Sequence, residues 1–79
     1  MTMFPRITFD PQVMGGRACI RGMRVTASLV LNLVADGMTA EEIVDDYPYL
    51  EREDVHEVLR YAAWLASEQV LPIESMTAA

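Results

Sequence analysis

At 79 residues, with 52% hydrophobic positions and a formal net charge of −6, the chain is sized for one domain. Its single cysteine excludes an internal disulfide framework, and Cys19 with the lone His56 offers too few ligands for a structural zinc site. A domain this small buries only about 60–65% of its unfolded surface, so the apolar surplus is expected to enter a subunit or partner interface.

The charge is unevenly spread. Residues 1–24 carry Arg6, Arg17, Arg21 and Arg24 against Asp10 alone, a net +3; residues 25–79 carry Arg52 and Arg60 against eleven carboxylates, a net −9. Every basic residue is arginine. The planar guanidinium fork suits bidentate contact with phosphate or carboxylate, although a genome rich in arginine codons produces the same bias. Residues 1–9 lack a basic segment followed by an apolar one, and Pro5 and Arg6 interrupt them. The longest apolar run, residues 29–35 around Asn32, falls short of the roughly 20 residues a bilayer helix needs. A soluble, cytoplasmic protein that makes no membrane contact is the expectation.

In chain order, Arg6-Ile7-Thr8-Phe9 alternates as a half-buried strand does. Asp10-Pro11 begins a turn, and Gly15-Gly16 supplies the positive φ angles of a tight hairpin turn rather than a phosphate-binding loop. Residues 17–21 form the second strand, with Ala18 and Ile20 on one face and Arg17, Cys19 and Arg21 on the other. Gly22 marks a bulge or tight bend, and residues 23–25 add a third extended piece. Thr26 caps a first helix over residues 27–36, which Gly37 ends. Leu29, Val30, Leu31, Leu33 and Val34 make that helix apolar nearly all round, so it is expected to be buried on most sides and to supply a subunit interface at Leu29 and Leu33.

Thr39 and Glu42 form a capping box for a second helix that Pro48 stops near residues 46–47. Its outer face pairs Glu41 with Asp45 and Glu42 with Asp46, which reads as a solvated acidic surface rather than a catalytic or metal-binding one. A third helix over residues 51–69 opens with Glu51, Glu53 and Asp54 at its dipole-positive end. Val55, Val58, Leu59, Ala62, Leu65 and Ala66 form its inward stripe, flanked by Tyr61 and Trp64 as core or interface anchors. His56 falls among carboxylates on the polar side. Residues 1–26 thus read as a β-hairpin arm, 27–69 as a three-helix core and 70–79 as a short tail.

This layout of a mostly α chain, with a short β arm before a three-helix, helix-turn-helix-like bundle, also carries a specific resemblance. Ile7, Asp10-Pro11, Gly15-Gly16, Ile20-Arg21-Gly22, Arg24-Val25 and Gly37 carry it in the first half. Glu41-Glu42-Ile43, Tyr47-Pro48, Leu50, Asp54-Val55 and Tyr61-Ala62 carry it in the second. Over about residues 7–66 the chain resembles the bacterial and archaeal domain-of-unknown-function family numbered four-three-three, which includes VapB-type antitoxins. Ala18 replaces the usual proline and Glu51 a common threonine cap. The resemblance implies a protein of a toxin–antitoxin operon that neutralises a PIN-like ribonuclease and can bind its own promoter.

Two binding functions follow as expectations. In the first, a dimeric antitoxin contacts DNA through Arg17, Arg21 and Arg24, with Arg52 and Arg60 on the third helix as further basic contacts. The acidic start of that helix opposes phosphate, so the arm is expected to lead. In the second, the chain is a protein–protein interaction module without DNA binding, and Tyr61 and Trp64 anchor the partner. No cofactor is expected, and no constellation of nucleophile, base and orienting group points to an enzyme.

Overall fold

The computed structural model describes residues 3–68; the expected tail at 70–79 and the last residue of the third helix lie outside them. Strand β1 (Ile7–Thr8) pairs antiparallel with β2 (Cys19–Ile20), Ile7 opposite Ile20 and Thr8 opposite Cys19. Helices α1 (Ala27–Ala35), α2 (Ala40–Asp46) and α3 (Arg52–Glu68) follow. The expected architecture, three helices behind a short N-terminal hairpin, is the one observed.

Both strands are shorter than the alternation suggests, and the reason is local. The Gln12 N–H donates to the Asp10 carboxylate at 2.9 Å and the Val13 N–H to the Asp10 carbonyl, so the chain leaves the sheet directly after Phe9. Gly15-Gly16 is therefore not a two-residue hairpin turn. It lies in a 3-10 turn, Met14–Gly16, within a longer connection, and the glycines do adopt the positive φ angles expected of them. The tight turn occurs one step later. Arg21 and Gly22 both have positive φ, and the Met23 N–H donates to the Ile20 carbonyl at 2.8 Å. That reversal folds residues 25 and 26 back on β2 through an Ile20-to-Val25 hydrogen bond and a Cys19–Thr26 bridge.

The reversal corrects the expected placement of Cys19. It does not share an outer face with Arg17 and Arg21; Cys19 and Ile20 are both buried, because a strand covered on both faces buries successive residues.

Thr26 caps α1 as expected, its hydroxyl accepting from the Leu29 N–H at 3.1 Å. At the other end the Met38 N–H donates to the Leu33 carbonyl and the Gly37 N–H to that of Val34, with Gly37 left-handed. The helix is not buried on most sides, however. Ala27 and Val30 are buried, while Leu29, Leu31, Leu33 and Val34 are half-buried against the core. The capping box on α2 is complete: the Glu42 N–H donates to the Thr39 hydroxyl at 3.1 Å, and the Thr39 N–H to the Glu42 carboxylate at 2.8 Å.

On α3 the inward stripe is the expected one in part: Val55, Val58 and Ala62 face inward as expected, joined by Asp54 and Tyr61. Asp54, Val55 and Val58 are buried and Tyr61 and Ala62 half-buried, whereas Leu59, Leu65 and Ala66 are exposed. Asp54, Val58 and Tyr61 share a face at helical spacing, so once Asp54 turns inward the helix is oriented with it. The core joins Ile7, Ile20 and Val25 from the hairpin region to Val30, Ile43, Leu50, Val55 and Val58 from the helices. The hairpin is therefore packed into the same core and does not project as an arm. Among the described residues no helix is long and apolar enough to cross a membrane.

Candidate functional site

The densest polar arrangement is built where the hairpin meets the start of α3. The β1–β2 register places Arg6 directly opposite Arg21, and the Arg21 N–H donates to the Arg6 carbonyl at 2.8 Å. Two like charges facing each other across a strand pair repel, so the arrangement needs a shared counter-charge. Asp54 supplies it with no exposed surface of its own. The Arg21 fork donates through Nε to Oδ1 at 3.1 Å and through Nη2 to Oδ2 at 2.9 Å, and Nη2 also reaches the Tyr49 carbonyl at 2.9 Å. Arg6 Nη1 bridges Asp54 Oδ1 at 2.8 Å and Glu51 Oε1 at 2.7 Å, while the Arg6 N–H donates to Glu57. The Glu51 N–H closes the set on Asp54 Oδ2 at 2.8 Å, one half of a capping box on α3.

The electrostatics follow from these contacts. Burial pushes the Asp54 carboxyl up, but the hydrogen bonds from Arg21, Arg6 and the Glu51 N–H outweigh it and hold the group below its ordinary value. Arg6 is raised by its hydrogen bonds to Glu51 and Asp54, and Arg21 by its hydrogen bond to Asp54. All of these groups are charged at neutral pH and satisfied within the chain. The clamp ties hairpin, α2–α3 turn and α3 together.

From sequence, Asp54 is expected only as one of the carboxylates at the dipole-positive start of α3, and Arg21 in one basic set with Arg17 and Arg24. The structure separates them. Arg17 and Arg24 are exposed and pair with no carboxylate among the described residues, whereas Arg21 is committed to Asp54. Arg52 bonds Glu41 at 2.7 Å, an exposed bridge between α3 and α2. Arg60 is exposed and, with Arg6, Glu53, His56 and Glu57, lines a shallow open depression of about 200 Å³. Among the described residues no three histidine, cysteine, aspartate or glutamate side chains are gathered to hold a metal ion.

Of the expected interface positions, Leu29 and Leu33 already pack against the core, while Tyr61 and Trp64 belong to an aromatic cluster. The Tyr61 ring lies 5.5 Å from Phe4 and 6.1 Å from Phe9, and Trp64 lies 5.7 Å from Phe4. Phe4 and Phe9 were not foreseen. They flank the strand positions, and nothing in their spacing ties them to a helix some fifty residues on; only the three-dimensional register does.

No curated protein and no solved structure matches the chain. A family model described as "Protein of unknown function (DUF433)" matches residues 7–62, which take in both strands, Arg21, Glu51 and Asp54 of the clamp and every buried core residue, though not Arg6, and the chain belongs to that family.

Proposed function

We propose that this chain is a non-catalytic protein-binding module of the antitoxin kind, acting in the cytoplasm, with a PIN-like ribonuclease as its partner and promoter DNA outside its main interaction. The partner class comes from the VapB-type resemblance. The observation that carries the choice of protein over DNA is the commitment of Arg21 and Arg6 to Asp54 and Glu51. DNA affinity depends on guanidinium groups left open to neutralise phosphates, and half of the four arginines in residues 1–24 are internally compensated. The exposed start of α3 adds Glu53, which has no arginine partner among the described residues and repels a duplex at the position a recognition helix would occupy. Open large apolar side chains, among them Tyr49 and Leu59, suit a protein partner instead.

PIN-like nucleases carry acidic metal sites, and an arginine inserted there blocks them. Arg24, exposed beside the Arg21-Gly22 turn, fits that role better than Arg21. Co-expression with the nuclease from the adjacent reading frame, followed by size-exclusion chromatography and a ribonuclease assay, tests the proposal. A stable complex with suppressed cleavage is expected, with cleavage restored by Arg24→Ala. Absence of any complex, or suppression that needs operator DNA, would reject it.

A further inference from the structure

Beyond Ala62 the helix α3 outruns the core. From residue 58 to 67 it carries one charge, Arg60, and its tyrosine and tryptophan join the N-terminal phenylalanines in one continuous aromatic face. Met3 is 66% exposed, Phe9 58%, Leu65 39% and Trp64 37%, so the cluster orders its rings without covering them. We propose that this face, formed by Met3, Phe4, Phe9, Tyr61, Trp64 and Leu65, is where a second copy of the chain packs in a two-fold dimer. The inference is separate from the nuclease reading and leaves Arg17 and Arg24 available to that partner.

Two quantities favour a second copy. At the side-chain areas usual for large apolar residues, these exposures leave roughly 400 Å² of apolar surface per chain. Homodimer interfaces are about 65% apolar, so two such faces imply about 1,200 Å² in total, the lower limit for a specific interface. Charge agrees. Much of the net −6 lies on α2 and the first turn of α3, which contribute no residue to the aromatic face. The polar side of α3 next to it carries both signs, Arg60 with Glu53 and Glu57, so a two-fold contact can oppose unlike charges. The alternative interface on α1 is less open, because Leu29 and Leu33 are already partly covered by the core.

Sedimentation equilibrium of the full chain, with emission from its only tryptophan, provides the test. A reversible dimer in about the micromolar range is expected, with emission shifting to the blue as dimer forms. The double variant Trp64→Gln, Leu65→Gln should weaken association by about 100-fold or more and leave the far-ultraviolet circular dichroism unchanged. The concentration dependence of the wild-type emission serves as an independent readout should that variant fold poorly. A chain monomeric at every concentration, a double variant that dimerises like the wild type, or blue emission independent of concentration would each overturn the proposal. Nuclease binding is measured separately, so it can survive any of these results.

Discussion

A carboxylate without exposed surface persists only where its desolvation is offset by several donors, and Asp54 has Arg21, Arg6 and the Glu51 N–H. Removing it leaves two guanidinium groups opposed across β1 and β2. Asp54→Ala is therefore expected to destabilise the fold by about 3 kcal/mol, read from chemical denaturation at neutral pH. The group also sets a pH dependence. Its folded value lies below the ordinary 3.8, so its contribution is complete above that value and is lost as pH falls through the lower folded one. Asp54→Asn keeps the shape and removes the titration. Its stability should vary less than that of the wild type between about pH 5 and pH 2, and parallel profiles would contradict the assignment. Beside the clamp, Gly22 has φ of +73° with open space where a Cβ would sit, so its requirement is conformational and not steric. Gly22→Ala should cost about 1 kcal/mol in the same measurement.

At the scale of elements, what could be read from the chain was whatever local chemistry determines. The Thr26 cap, the Thr39–Glu42 box and the Gly37 stop satisfy backbone groups within a few residues, and Pro48 bars helical angles at Tyr47, so each was visible in sequence. Thr39→Ala is expected to destabilise the fold by about 1 kcal/mol, because the box completes the short α2 that delivers Ile43 to the core. Thermal unfolding monitored by circular dichroism would show the loss. The errors arose where a distant partner decides orientation. Asp54 looks like an ordinary first-turn carboxylate until Arg6 and Arg21 arrive from the hairpin, and its inward turn orients α3 so that Val55 and Val58 face the core as expected while Leu59 does not. A usable signal existed: Glu51 and Asp54 have reciprocal capping spacing, and Asp54, Val58 and Tyr61 recur on one helical face. Cys19 was misplaced for a related reason: alternation assumes one covered face, whereas Cys19 and Ile20 are both buried and residues 25–26 pair along the second edge of β2.

For the molecule as a whole, the opposed charges of its two halves turn out to be fitted to each other. The hairpin's positive charge is spent in part on the carboxylates at the start of α3, which is how two halves of unlike sign become one core. This has a consequence for nucleic acid. Each phosphate neutralised contributes nearly one unit to the salt slope of binding, and only Arg17, Arg24 and Arg60 are exposed without a carboxylate partner among the described residues. Three dispersed cations on a chain of net charge −6 yield little affinity near physiological ionic strength. A mobility-shift assay with the chain's own upstream DNA at about 150 mM salt should show no complex, and any complex at low salt should weaken with Arg17→Ala or Arg24→Ala. Arg21→Ala separates the two accounts of the hairpin. If Arg21 serves the fold, the variant unfolds more readily and DNA retention follows only the folded fraction; a fully folded variant that alone loses a specific complex would reinstate Arg21 as a DNA contact.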